Sequence, residues 1–233
     1  MKTAKTIGKA AVLALLVFTG LFAACQSTAG VKIGSDEAED LAFEAFNRGY
    51  DLYEIGSYKE AITEFTKAIR FYSYFVFYEN RGLAYYQMNQ FDNALADFTQ
   101  AIKLDPDYSY EAYAYRGHIY LLREEYSKAL LDFNQGLEMD PQALKSLGPT
   151  MYLGRGLSYA FLGNYSEAIN DFTFLINIGA NDLILYISRG NCYFEIGDYD
   201  KASADAEIAL QRDPGNEDAR QLRSDIRAAR AAQ

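Results

Sequence analysis

The sequence predicts an all-α fold assembled by stacking helical hairpins, and three observations carry that prediction. An Arg-Gly pair recurs five times, its glycines being Gly49, Gly82, Gly117, Gly156 and Gly190, separated by 33, 35, 39 and 34 residues, the period range of helical-hairpin repeats. Nine positions after each glycine stands Tyr58, Phe91, Tyr126, Tyr165 or Tyr199, and twelve after it Ala61, Ala94, Ala129, Ala168 or Ala202. Within each unit, apolar stripes follow a 3.6-residue period and break at a short polar turn. A repeat array grows by adding units, so the 233 residues read as one structural unit and typical domain lengths do not apply. Half of the residues are apolar, with 20 tyrosines and 15 phenylalanines, which suits a packed chain and not a disordered one.

Residues 1–24 stand apart. Lys2, Lys5 and Lys9 precede an apolar run from Ala10 to Ala24 that is broken only by Thr19 and Gly20. This is the pattern of an export signal, and the run is short of the roughly 20 apolar residues a permanent span needs. Leu21-Phe22-Ala23-Ala24-Cys25 resembles a bacterial lipobox, with Phe22 where the commonest pattern has leucine. The resemblance implies cleavage before Cys25 and lipid on its sulfur; an ordinary secretory signal that contains a cysteine is the other reading. Two or three acyl chains, at about 0.8 kcal/mol per buried methylene, would hold the chain on a membrane essentially permanently. The other cysteine, Cys192, falls on a helical apolar stripe, so an inert buried thiol is expected and no disulfide framework is available. Residues 25–40 comprise that cysteine and a tether without an apolar stripe.

Residues 41–214 hold the five hairpins. In the second, Phe77, Tyr78, Arg81, Gly82, Tyr85 and Tyr86 share one helical period, Asn89-Gln90 interrupts it, and Ala94, Leu95, Phe98, Ala101 and Ile102 form the next stripe. The other turns fall at Gly56-Ser57, Glu124-Glu125, Gly163-Asn164 and Gly197-Asp198. Second helices stop at Asp105-Pro106, Asp140-Pro141 and Asp213-Pro214, and without proline at Tyr72-Ser73 and Gly179-Ala180. Residues 215–233 read as a terminal helix, with Asn216 as its N-cap, Ala219, Leu222, Ile226 and Ala229 buried, and Arg220, Arg223, Arg227 and Arg230 opposite, a solvated face or a basic stripe for an acidic partner.

These residues resemble the tetratricopeptide repeat. The small residue is glycine in every unit; Tyr85, Tyr120, Tyr159 and Tyr193 follow three positions later, with Leu52 in the first unit. The second-helix aromatic is Phe65, Phe98, Phe133 or Phe172, with Ala206 in the fifth unit. The resemblance covers about Ala42 to Pro214. It implies a right-handed superhelical solenoid of five such hairpins plus a C-terminal capping helix. In the packing that follows, glycine admits the alanine-bearing second helix and aromatics fill the wedge between hairpins.

The family pattern usually has leucine before the small residue, whereas here it is arginine. Arg48, Arg81, Arg116, Arg155 and Arg189 are each followed sixteen positions later by an acid: Glu64, Asp97, Asp132, Asp171 and Asp205. The constant offset predicts an arginine-carboxylate ladder, one pair per hairpin, in preference to a basic binding stripe.

In tetratricopeptide proteins the first helices line the concave surface, so the resemblance places a partner-binding groove on their other stripe. It would consist of Phe46, Tyr50 and Tyr53, then Glu79, Leu83 and Tyr86, then His118, Leu121 and Leu122. Leu153, Leu157 and Phe161 continue it, and Ile187, Asn191 and Phe194 end it. Read this way it is apolar and aromatic, suited to an amphipathic helix, an extended peptide or a lipid-like ligand; burial of the same stripe as ordinary core is the other reading. A clamp for a terminal carboxylate would need basic residues there, and they are missing. Two irregularities stand out: a stretched joint through Ala143-Leu144-Lys145-Ser146-Leu147-Gly148-Pro149, and the aromatic run Phe71 to Tyr78, either packed between hairpins or presented to a partner.

The formal charge of −10, more negative once the leader lysines are removed, disfavours nucleic acid. With a single histidine, no phosphate loop and no paired metal spacing, no catalytic residues, cofactor or metal are expected. The leading expectation is a lipid-anchored scaffold of the bacterial cell envelope that holds an exported protein or peptide. A receptor for a small hydrophobic ligand, working with an envelope transporter, is the alternative; an adhesin or an enzyme fits least. Gln26 after the lipid site, by analogy with lipoprotein sorting, points to an outer membrane, facing the periplasm or the surface.

Overall fold

The computed structural model describes residues 36–139 and 147–232. The leader, Cys25 and nearly all of the tether, the Asp140-Pro141 stop and most of the stretched joint lie outside them. Among the described residues there are eleven helices and no strand. They are α1 (Asp36–Glu54), α2 (Tyr58–Phe71), α3 (Phe75–Gln87), α4 (Phe91–Leu104), α5 (Tyr110–Leu122) and α6 (Tyr126–Met139). The rest are α7 (Gly148–Phe161), α8 (Tyr165–Asn177), α9 (Leu183–Glu195), α10 (Tyr199–Arg212) and α11 (Glu217–Ala231). The chain clusters into two compact units, one of residues 36–119 and 135–139, the other of residues 120–134 and 147–232.

Each hairpin turns on one residue with positive φ: Gly56 (79°), Asn89 (56°), Glu124 (61°), Gly163 (82°) and Gly197 (80°). The amide after it reaches back to close the preceding helix, as Ser57 N–H does to Leu52 O at 2.9 Å and Asp198 N–H to Tyr193 O at 2.9 Å, the bond of a Schellman stop. Some helix starts are capped by a side chain: Asn216 Oδ1 accepts the Ala219 amide at 3.0 Å, and Asp198 Oδ1 accepts that of Lys201 at 3.2 Å.

In the first unit α1 packs on α2, α2 on α3 and α3 on α4, with α1 also meeting α3; in the second, α7 to α11 follow the same rule, with α9 meeting both α7 and α11. Phe65, Phe98, Phe133 and Phe172 are fully buried, as are the alanines Ala61, Ala94, Ala129, Ala168 and Ala202. The glycine admits the second helix as expected, and the nearest part of that helix is its aromatic: a Cβ on Gly82 would lie 2.8 Å from the Phe98 ring, and one on Gly49 would meet the Phe65 ring at 2.7 Å and Ala61 O at 3.3 Å. The fifth unit has Ala206 in place of that aromatic, and there α11 supplies the missing group: a Cβ on Gly190 would meet Leu222 Cδ2 at 2.8 Å.

In hairpins one, two, four and five the arginine meets the acid sixteen residues on. Arg81 holds Asp97 through Nε and Nη2, both at 2.7 Å; Arg155 holds Asp171 at 2.8 and 2.7 Å, and Arg189 holds Asp205 at 2.9 and 2.7 Å. These are bidentate pairs between largely buried groups. Arg48 reaches Glu64 through Nε alone, at 3.0 Å, and its side chain is 55% exposed. Arg116 lies over the Tyr113 ring and donates to Thr99 Oγ1 at 3.3 Å, while Asp132 is buried.

The ladder extends beyond its pairs. The remaining arm of each arginine crosses to the hairpin before it: Arg81 to Thr66, Arg155 to Asn134 and Arg189 to Thr173. Those acceptors stand two residues after the acid of that earlier hairpin. Each guanidinium also lies against a tyrosine three residues back, at 5.6 Å for Arg81 on Tyr78 and 5.0 Å for Arg155 on Tyr152. Arg223 of α11, 34 positions after Arg189, approaches Glu207 at 3.7 Å, the residue in the acceptor position of hairpin five. The terminal helix thus packs on hairpin five as the first helix of a further unit would. Its basic stripe is partly engaged, since Arg230 also pairs with Asp200 at 2.6 Å.

The aromatic run linking hairpins one and two is packed. Phe77 is fully buried against Phe46 (5.0 Å between ring centroids) and Phe43 (5.2 Å), and Tyr72 is buried with it, while Phe71 is exposed.

Candidate interaction surface

The first helices α1, α3, α5, α7 and α9 carry the stripe expected to form a groove. Seven of its fifteen side chains are buried: Glu79, Leu83, Tyr86, His118, Leu121, Leu157 and Ile187. Leu157 is fully buried, and Leu83 and Tyr86 pack with Phe98 and Ile119; such residues are core, because a fully buried side chain has no surface to offer. Phe46, Tyr50, Tyr53, Leu122, Leu153, Phe161, Asn191 and Phe194 are half-buried. An open apolar groove along the whole stripe is therefore corrected to a narrower surface. Even there the rings are engaged, Phe161 stacking on Tyr126 at 4.4 Å and Phe194 tilted on Tyr199 at 5.6 Å.

In the first unit the surface is also not apolar. Glu79 of α3 is nine-tenths buried, and its Oε1 accepts the Ala112 amide in the first turn of α5 at 3.3 Å. Three residues before that amide, Ser109 has a buried hydroxyl with no partner, so the neighbouring hairpin's acid takes the place of a local cap. Beside it stands Glu111, half-buried, with Tyr110 Oη donating to its Oε1 at 3.1 Å. Burial, then the nearby Glu111 charge, push the Glu79 carboxyl well above the usual range, and burial raises Glu111 to about 7. The charge of Glu111 is also felt by Tyr50 and Tyr53 of α1 and by Tyr115 of α5, whose hydroxyls are raised, first by burial. Three successive first helices thus converge on one acidic and tyrosine-rich patch.

His118 lies 2.6 Å through Nδ1 from Tyr86 Oη, while its buried Nε2 has no partner. Burial lowers it to about 4, so the ring is neutral at pH 7. Tyr86, raised by burial, keeps its proton. His118 is a packed interior residue, and among the described residues no group of three or more His, Cys, Asp and Glu is placed to hold a metal. Cys192 is buried with its thiol raised to about 12, first by desolvation, and is inert at neutral pH. Within the second unit a depression of about 350 Å³ lies over the hairpin-three turn, lined by Glu124 to Lys128 and Leu162; its charged rim does not suit an apolar ligand. No described helix is long and apolar enough to cross a membrane.

Sequence reasoning missed Glu111, which reads as an acid favouring a helix start, and it missed the Tyr-x-x-Arg-Gly spacing, which was present at Tyr78, Tyr113, Tyr152 and Tyr186. Comparison with known proteins agrees with the geometry. Residues 76–108 and 184–216 each match a family model of the tetratricopeptide repeat. The outer dynein arm-docking complex subunit 4 of Mus musculus is 32% identical over 71 residues, which are 30% of this chain and 11% of that protein; the chain matches only about a tenth of the length of such curated relatives. Among solved structures, a tetratricopeptide repeat protein from Parabacteroides merdae is 27% identical, covering 84% of this chain and 75% of its own, with a TM-score of 0.56. YrrB, a TPR protein with an unusual peptide-binding site, reaches a TM-score of 0.71 at 16% identity, covering 81% of this chain and 94% of its own. Repeats matched by the family models, hairpins that turn and stack alike, and these neighbours agree: the chain carries tetratricopeptide repeats and has the fold of a tetratricopeptide-repeat solenoid.

Proposed function

We propose that the chain is a non-enzymatic interaction module, tethered by lipid on Cys25 to a membrane of the bacterial cell envelope, which holds a protein or peptide on its first helices. One observation carries the reading. The residues that repeat are consumed by stacking and by mutual charge neutralisation, whereas the first-helix residues that change from unit to unit, Tyr50, Tyr53 and Glu111 among them, keep partial contact with solvent. Tyrosine-rich surface of this kind suits protein recognition, since each ring offers apolar area and a hydroxyl at little entropic cost. The peptide-binding site of YrrB is a precedent in the same fold. The anchor and the outer-membrane location rest on the leader and lipobox resemblance of the sequence.

The test is crosslinking in cells followed by partner identification, with Tyr50→Ser and Phe194→Ser as the surface variants and circular dichroism to show that they fold. Loss of a stoichiometric protein partner in a folded variant is the expected result. Retention of every crosslink in both variants would place the partner surface elsewhere. Native mass spectrometry of the same material reads out the alternative, for a retained small apolar molecule would make the chain a ligand receptor.

A further inference from the structure

Two carboxyls, Glu79 and Glu111, stand together on the first helices of hairpins two and three, and no lysine or arginine among the described residues pairs with either. Elsewhere this chain is careful to match its buried acids: Asp97, Asp171 and Asp205 each receive two arginine N–H groups. Glu79 is as buried as they are, yet among the described residues it has one backbone donor, at 3.3 Å, and no donor to its second oxygen. A buried carboxylate left so poorly matched is costly, and a cation from outside would relieve the cost. Capping of α5 accounts for one oxygen of Glu79; it leaves the other, and Glu111 beside it, unexplained.

The surroundings fit an organic cation. Facing the two carboxyls are Tyr50 and Tyr53 of α1, Asp105 at the end of α4, and Tyr110 and Tyr115 of α5, all neutral or negative. Tyrosine faces attract an ammonium or guanidinium, and carboxylates hydrogen-bond one. We propose that Glu79 and Glu111 form a subsite for the lysine or arginine side chain of a peptide held on the first helices of this unit. This rests on the peptide-binding reading above, and it gives that partner a basic residue.

The probe is acetyl-tetralysine-amide, titrated into the isotope-labelled full-length chain and followed by amide chemical shifts. The expected result is a saturable shift centred on Ala112, which donates to Glu79, weakened at least tenfold in the Glu79→Gln/Glu111→Gln double variant and unchanged in Glu60→Gln, an exposed acid elsewhere. Affinity should also rise from pH 6 to 8, because binding draws protons from carboxyls whose proton affinity burial has raised. Shifts spread over the exposed acids, or equal binding by the double variant, would overturn the subsite, and tighter binding of spermine than of the peptide would overturn its assignment to a side chain. If Tyr50→Ser abolishes the cellular crosslink while the double variant retains it, the subsite fails and the peptide-binding reading stands. If tetralysine behaves as expected but no protein crosslinks, the subsite stands and that reading fails.

Discussion

Gly82 and Gly190 occupy equivalent positions in the repeat, but their neighbours differ in how far they can yield. A methyl on Gly82 would press at 2.8 Å on Phe98, a fully buried ring held on all sides. On Gly190 it would press at the same distance on the flexible end of Leu222, on the terminal helix. Gly82→Ala should therefore cost about 1 to 3 kcal/mol, the usual penalty for overpacking, and Gly190→Ala less, as read from urea midpoints. The hairpin turns offer the opposite case. Glu124 adopts φ 61° where three of the other turns use glycine. Left-handed backbone burdens a residue with a Cβ by about 1 to 2 kcal/mol, partly offset by the entropy glycine loses. Glu124→Gly should raise stability by about 0.5 to 1 kcal/mol; an unchanged or lower urea midpoint would show that the glutamate side chain compensates.

Hairpins hold to one another through the arginine ladder, and its rungs are unequal. Removing the Arg81 side chain strands Asp97 in the interior and unties Thr66, so Arg81→Leu should cost about 3 kcal/mol or more. Arg48 is half in solvent and makes a single bond to Glu64, so Arg48→Leu should cost less than about 1 kcal/mol. Equal losses in thermal or urea unfolding would mean that burial does not set the worth of a rung. How much of this was legible follows from where the information lies. A constant offset of sixteen residues reports a contact within one hairpin, so the pairs could be read from the chain. The bonds from Arg81 to Thr66 and Arg155 to Asn134 cross between hairpins, and their acceptors are recognisable only once the stacking register is known. Likewise the Asn216 cap and the buried Leu222 were legible as local helix signals, whereas the place of α11, that of a further unit's first helix, emerges from Leu222 filling the space beside Gly190. The interaction surface was the least legible part, since exposure on a first helix depends on how closely neighbouring hairpins approach, and Leu157 and Phe161, four residues apart on one face, end respectively as core and as half-exposed surface.

For the whole molecule, the buried titratable groups of the first unit pull stability in opposite directions with pH. Glu79 and Glu111 have folded-state proton affinities above those of the unfolded chain, first because of burial. The folded state then binds more protons, so their contribution favours folding at low pH and fades as pH rises from about 4.5 through 7. Glu111 alone, raised to about 7, corresponds to a loss on the order of 2 to 3 kcal/mol across that window. His118 acts in the other sense. Lowered to about 4 by burial, it makes the unfolded state the better proton acceptor below about pH 6.5, so its contribution is full above that pH and is lost toward pH 4. Two carboxyls against one imidazole leave the carboxyls dominant between pH 5 and 7, and the native chain should become less stable as pH rises through that range. With Glu79→Gln and Glu111→Gln together these two carboxyls no longer titrate, His118 is left against the lesser rise of Asp97 and Asp171, and the downward slope of urea-unfolding free energy against pH should shrink. The variant should also be the more stable protein at pH 8, where the native chain carries both uncompensated charges. A native slope that is already positive between pH 5 and 7 would mean that the two acids find a cation in the free protein, and that the patch on α3 and α5 is satisfied before any partner arrives.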